Sequence, residues 1–268
     1  MQRINLLILG GTAEASALAR ALAGRAGQFD ATLSFAGRTQ NPVLPPIPCR
    51  IGGFGGAAGL AAYLREQAVD VLVDATHPFA ARISASAVEA ACAAGIPLLA
   101  IRRPPWVAGP GDRWQPVASM TDAAAALGPV PRRVLLTIGR QDLAPFVAAP
   151  WHRYLIRSVD APPPELQPPG AEVLTARGPF DAAGERDLLT RHGIEVLVTK
   201  NAGGNATIAK LHAARALGLT VVMVERPALP DGAVESVPDA QAALEWLLRR
   251  PRALPLDPAK GKPLESFT

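Results

Sequence analysis

The sequence predicts an α/β architecture built as two similar parallel-sheet halves, and three observations carry that expectation. Short apolar runs alternate with alanine-rich stretches of helical spacing up to residue 249. The second half of the chain repeats the plan of the first. A chain of 268 residues, 49% of them apolar and 19% charged, is also long enough to bury two cores of ordinary domain size.

The repeat is legible in matched segments. "VDVLVDATHPFA" (69–80) and "IEVLVTKNAGGN" (194–205) each end a buried-type strand in a turn that precedes an alanine-rich helix. "GIPLLAIRRP" (95–104) answers "GLTVVMVERP" (218–227), and "VASMTDAAAAL" (117–127) pairs with "VESVPDAQAAL" (234–244), both reading as a capped helix start after an exposed strand end. The openings correspond too, "INLLILGG" against "RRVLLTIG". Two domains follow, 1–130 and 131–250, joined around "LGPVPRR" (127–133), with 251–268 as a tail lacking periodicity.

In the first half, strands are expected at 4–9, 31–36, 47–51, 70–74 and 97–101, and helices at 13–24, 57–67, 80–94 and 121–127. In the second, strands fall at 133–138, 153–158, 171–175, 195–199 and 220–224, with helices at 181–192, 205–217 and 239–249. Apolar runs without strict alternation argue for strands buried on both faces, hence parallel sheets with crossover helices on either side. "APPPELQPPG" (161–170) is too proline-rich for either element and reads as a surface connection.

Several classes are set aside. The most membrane-like stretch, 83–101, is interrupted by Glu89, two serines and Pro97 and divides better into a helix and a strand. The amino terminus lacks the basic start, apolar middle and small-residue cleavage site of a signal peptide, so the cytoplasm is the expected compartment. Cys49 and Cys92 are lone cysteines with neither a disulfide framework nor a zinc spacing, and no metal site is expected. The net charge of +4 comes almost wholly from arginine, since the only lysines are Lys200, Lys210, Lys260 and Lys262. Dispersed arginines with few aromatics speak against nucleic acid and for a small anionic ligand, which the planar guanidinium suits.

The strand running into Gly10 and Gly11 and then a helix makes a βα turn where backbone can approach a phosphate, with free N–H donors and the helix dipole behind it. The full glycine fingerprint of a dinucleotide site is absent: Thr12 and Ala15 stand where later glycines would. A glycine turn needed only for packing is the competing reading. At the end of the second strand "LSFAGRTQ" (33–40) offers Ser34, Arg38 and Thr39 and no acid, which favours NADP over NAD. The glycines of "IGGFGG" (51–56), Gly53 among them, either face the cofactor or form a loop. "DATHPFA" (74–80) ends a strand at the sheet's ligand-binding edge: either Asp74 simply caps the next turn, or Thr76 and His77 touch cofactor or substrate. In the second half Lys200 precedes glycines that open a helix near Asn205, which reads either as an anion-binding nest or as a solvated lysine at an exposed turn, and Arg140 and Arg177 occupy other strand-end turns.

Taken together, "GGTAEASALA", "DATHPFA", "ARGPF" and "TKNAGG", in this order over roughly residues 4–227, resemble the precorrin-6A reductase family of cobalamin biosynthesis. The chain departs from that pattern at Ala202, where serine is usual. The resemblance implies two Rossmann-like domains with the active site in the cleft between them, and reduction of one double bond of the precorrin-6A macrocycle by NADPH to give precorrin-6B. It places NADPH on Gly10, Gly11, Thr12, Ala13, Ser34, Arg38, Gly53 and Thr76, and the tetrapyrrole on Arg140, Arg177, Lys200, Asn201, Gly203 and Gly204. His77, Lys200 or water would deliver the proton, making Lys200 and His77 the catalytic candidates. Its further implied partners are the neighbouring enzymes of the pathway.

Three rivals remain. A short-chain dehydrogenase needs a tyrosine with a lysine four residues on, but Tyr63 meets Gln67 and Tyr154 meets Ser158. A nucleotide-sugar transferase would need an acidic metal-binding pair. A non-catalytic two-domain sensor of an anionic small molecule could use the same cleft.

Overall fold

The structure is a computed structural model that describes residues 3–37, 43–227 and 234–249. The chain forms β1 (Ile4–Leu9), α1 (Ala13–Ala23), β2 (Phe29–Phe35), β3 (Cys49–Ile51), α2 (Ala57–Glu66), β4 (Val71–Asp74), α3 (Ala81–Ala94), β5 (Leu98–Ile101), β6 (Arg113–Val117) and α4 (Met120–Ala126). It continues through β7 (Arg133–Thr137), α5 (Ala144–Val147), β8 (Arg153–Ser158), β9 (Glu172–Thr175), α6 (Ala182–Arg191), β10 (Val196–Lys200), α7 (Ala209–Ala216), β11 (Thr220–Val224), β12 (Glu235–Val237) and α8 (Ala240–Arg249). Among the described residues no helix is long and apolar enough to cross a membrane.

Two six-stranded sheets result, ordered β3-β2-β1-β4-β5-β12 and β9-β8-β7-β10-β11-β6, with every pair parallel. Both follow the doubly wound order in which the winding reverses beside the first strand, between β1 and β4 in one sheet and β7 and β10 in the other. The central strands bury both faces. Leu6 and Ile8 pack with Leu18 and Leu22 of α1 and Leu244 and Leu247 of α8, while Leu7 and Leu9 face Leu60 and Leu64 of α2 and Ala87 and Ala90 of α3. In the second sheet Val134, Leu136 and Val198 meet Ala123, Leu127 and Phe146, and Leu135 and Leu197 meet Leu189, Leu211 and Ala214. Burial on both sides is why these strands read as unbroken apolar runs.

The sixth strand of each sheet comes from the other half of the repeat. β6 follows β5 in the chain but pairs with β11, and β12 follows β11 but pairs with β5. The division at 130/131 therefore does not follow the sheets: residues 113–126 belong with the second sheet and 235–249 with the first, while the tail expected at 251–268 lies outside the described residues. Both exchanged strands are edge strands. β6 is largely exposed and carries Pro116, and β12 is three residues long, so neither has an apolar pattern to announce it.

The crossing is pinned by the chain after β5. Pro104 and Pro105 keep it extended, and Trp106 buries its ring in the second sheet's core. Asn201 accepts from Trp106 N at 2.9 Å and donates to its carbonyl at 3.2 Å, and Trp106 Nε1 donates to Gly204 O at 2.9 Å. From the other crossing, Arg226 donates to Asn201 O at 2.7 Å and to Arg103 O at 2.8 Å.

Because α8 completes the first core, Leu247→Ala is expected to cost about 2–5 kcal/mol and to lower hydrogen-exchange protection in β1, β4 and β5. Lost protection in β7 and β10 instead would contradict the exchanged arrangement.

Candidate active site

At the first reversal point, β1 runs into Gly10, whose would-be Cβ lies 2.6 Å from Leu33 Cδ1, so a side chain here would have to displace that buried leucine of β2. Gly11 adopts φ 115°, a conformation that favours glycine, with open space where a Cβ would stand. The Thr12 side chain caps α1 by accepting from Ala15 N at 3.1 Å and donates to Ala75 O at 2.7 Å, which ties the turn to the β4 end. The amides of Gly11, Thr12 and Ala13 find no acceptor among the described residues. Glu14 in the first turn would repel an anion there, but Arg103 Nη1 reaches its two carboxylate oxygens at 3.0 and 2.9 Å. Arg103 Nε meanwhile donates to Ala202 O at 2.7 Å, tying this turn to the second half.

Ser34, at the end of β2, is buried and its hydroxyl accepts from Arg50 Nη1 at 2.8 Å. Arg50 also donates to the carbonyls of Gly52 and Gly53 at 3.0 and 3.2 Å and lies 3.8 Å above the Phe54 ring. A guanidinium thus stands where an NAD site would carry an acid. Arg38 lies outside the described residues. Gly53 contributes its carbonyl to Arg50.

At the β4 end, Asp74 accepts from Thr76 N and Oγ1 at 3.0 and 2.6 Å and from Arg102 at 2.9 Å. Thr76 is buried in this network, where its hydroxyl ties the turn to Asp74. His77 accepts on Nδ1 from Phe79 N at 3.2 Å, leaving its ring proton on Nε2. Burial, with Arg103, Lys200, Lys210 and Arg226 nearby, pushes its pKa down to about 3, so His77 is neutral at working pH and can donate a hydrogen bond but holds no imidazolium proton.

His77 and Phe79 form one wall of a cleft of about 450 Å³ whose other walls come from the second sheet's carboxyl edge: Thr137 to Asp142 after β7, Arg157 and Ser158 of β8, Ala176 and Gly178 after β9, and Thr199 and Lys200 of β10. Lys200 Nζ donates to Asp142 at 2.6 Å and lies 5.2 Å from the Phe79 ring centre. Arg140 lines the cleft, and Arg177 sits, exposed, between two residues that do. The floor holds a buried pair, Arg157 Nη1 to Glu185 Oε1 at 2.5 Å, beside Lys210 of α7.

The remaining expected substrate residues are elsewhere. Asn201 spends its side chain on Trp106. Gly203 and Gly204 have φ 66° and 77°, and their would-be Cβ atoms would meet Pro104 O at 2.1 Å and Arg103 Cδ at 2.9 Å. These glycines let the crossing segment pack and do not line the cleft. The helix behind them begins at Ala209, not near Asn205, because 206–208 form a turn whose Ala206 O accepts from Phe180 N at 3.3 Å. Sequence reasoning passed over Arg50, Arg157 and Lys210. Arg50 was signalled only by preceding a glycine loop, and Lys210 by falling on the face of its helix that carries Ala213 and Ala214.

The family described as Precorrin-6x reductase CbiJ/CobK matches residues 5–248. The Precorrin-6A reductase of Rhodobacter capsulatus is 52% identical over 225 residues, 84% of this chain and 89% of that protein. That of Rhodococcus erythropolis is 51% identical over 242 residues, 90% and 96% of the respective chains. A solved structure of CobK precorrin-6A reductase superposes with a TM-score of 0.86 at 48% identity, covering 91% of this chain and 96% of its own. The likeness runs through both sheets and both crossings, and the chain belongs to the precorrin-6x reductase CbiJ/CobK family.

Proposed function

We propose that this protein reduces precorrin-6A to precorrin-6B with NADPH in cobalamin biosynthesis. The observation that carries the reading is that the two reversal points abut: the β4–α3 turn of the first sheet forms a wall of the cleft that opens on the second. A dinucleotide laid along the first edge and a macrocycle seated on the second would meet at His77.

The residues fit both. The free amides at Gly11 to Ala13, the space beside Gly11 and the neutralised Glu14 suit a diphosphate at a helix N-terminus. Arg50, aligned by Ser34 and stacked on Phe54, is placed for the 2′-phosphate that separates NADPH from NADH, together with Arg38 from the sequence pattern. Reduced nicotinamide, when bound, supplies two electrons and one hydrogen to the ring system. Arg140, Arg177 and Lys200 are the donors we assign to the carboxylate arms of the substrate, with the Asp142 contact holding Lys200 in position until an arm replaces or shares it. His77 Nε2–H offers a neutral hydrogen bond to the macrocycle or the carboxamide, and Phe79 excludes water.

The direct test is stoichiometric: each precorrin-6A reduced should consume one NADPH. Tight binding of both without turnover would favour the sensor reading. Arg50→Ala should weaken NADPH by about 10–100-fold, the loss of one charge-assisted contact of roughly 1.5–3 kcal/mol, and leave NADH nearly unchanged in a fluorescence titration; equal losses would remove Arg50 from the 2′-phosphate. Lys200→Ala should raise the KM for precorrin-6A about tenfold or more at unaltered NADPH affinity, and unchanged steady-state kinetics would make Lys200 a partner of Asp142 alone.

A further inference from the structure

We propose that Lys210 is a catalytic residue, whose ammonium group in the floor of the cleft delivers the proton that completes the reduction. The proposal rests on the reductase reading, and goes beyond it by naming a donor.

Reducing a double bond with a reduced nicotinamide leaves one proton outstanding. The hydrogen that arrives with the electron pair forms one C–H bond, and the π electrons of the double bond move onto the neighbouring atom. That atom takes a proton from nitrogen: an N–H bond breaks, its electron pair stays on Nζ, and the amine is reloaded from solvent after the oxidised nicotinamide and product have left.

Two of the candidates named from the sequence are poorly suited. Neutral His77 has no proton to release without leaving an imidazolate. Lys200 is committed to Asp142 at 2.6 Å, at the rim of the cleft. Lys210 differs from both. It is 5% exposed, it lines the cleft, and its amine has no carboxylate or carbonyl partner among the described residues, only the Trp106 ring at 5.5 Å. A largely buried lysine that opens on a cleft and has no protein acceptor there is placed to act on whatever the cleft holds.

The charges around it set its proton affinity. Arg157 of β8 and Glu185 of α6 face it as a buried pair, with Glu185 Oε2 left without a hydrogen bond; Arg103 approaches from the crossing segment, and His77 and Lys200 from the walls. Burial first, then Arg157 and Arg103 against the opposing pull of Glu185, lowers the amine's pKa to about 7. An amine balanced there releases a proton readily at working pH. Entry of a polycarboxylate would raise its affinity again, so the proton is loaded when substrate is present.

The test compares the full chain with Lys210→Met and Lys210→Arg. The parent's kcat/KM should fall above about pH 7 as the amine of the free protein loses its proton. Lys210→Met should lower kcat by about 100-fold or more, flatten that limb and leave NADPH affinity intact. Lys210→Arg keeps the charge but cannot release a proton, and should not restore kcat. Folding is read separately: methionine removes a buried charge, so the variant without ligands should melt above the parent below pH 7. That advantage should shrink as pH rises towards the ordinary lysine range near ~10.4, because the folded parent sheds the proton there while its unfolded chain still holds it.

Rescue by arginine, a Met variant within a few-fold of the parent, or a melting advantage independent of pH would each overturn the proposal. A parent that consumes no NADPH with precorrin-6A would overturn the functional reading and this inference with it. A parent that turns over and is matched by Lys210→Met overturns the inference alone.

Discussion

Asn201 and Trp106 grip each other through two hydrogen bonds at the place where the chain leaves one sheet for the other, and the active cleft depends on that grip. Asn201 follows the last residue of β10, directly after Lys200, while Trp106 follows the two prolines that carry the chain away from β5. Arg226, on the return crossing, caps the same knot through the carbonyls of Asn201 and Arg103. The backbone that presents Lys200 to the cleft is therefore the backbone that holds the two sheets in register. Because each sheet borrows its sixth strand, neither core is complete without the other crossing. The cleft walls are less free to drift apart than two domains joined by a single linker would be.

The electrostatic design of the cleft follows from this packing. Arg140, Arg157, Lys200 and Lys210 line it against Asp142 and Asp160, an excess of cations in a space walled by buried strands. Two acids hold cations of the cleft: Asp142 holds Lys200, and Glu185 beneath the floor holds Arg157. An excess of this kind destabilises the empty protein and is relieved by an anionic ligand, which is the usual signature of a site that trades stability for binding. The neutral His77 belongs to the same logic, since burial first, and then the cations Arg103, Lys200, Lys210 and Arg226, disfavour an imidazolium.

Much of the candidate cofactor side was legible in the sequence because its βα turn depends on local backbone chemistry. A strand, two glycines, a capping threonine and an apolar helical stripe dictate the turn at residues 10–13 wherever they fold. The candidate substrate side was legible only in part. Lys200 and Arg140 sit at strand ends and could be placed by counting elements, yet Asn201, Gly203 and Gly204 looked like the same anion-binding loop and turned out to serve the crossing. Local sequence cannot distinguish a glycine that admits a ligand from one that admits Pro104, because both requirements select the same residue. Lys210 was hidden for the opposite reason: a lysine in a helix is ordinarily solvated, and only the packing of α7 under the cleft buries it.

The sequence by itself determined the repeated plan, the parallel sheets with helices on both faces and the identity of most strands, since period, apolar runs and turn residues are properties of short windows. It also showed that 117–127 and 234–244 are equivalent segments. Only the tertiary structure decided which sheet each of them joins. β6 and β12 are both short, exposed edge strands, and either sheet offers the same unpaired backbone donors and acceptors beside β5 or β11. The choice is made outside them, by Trp106 sinking into the second core and by Leu244 and Leu247 into the first.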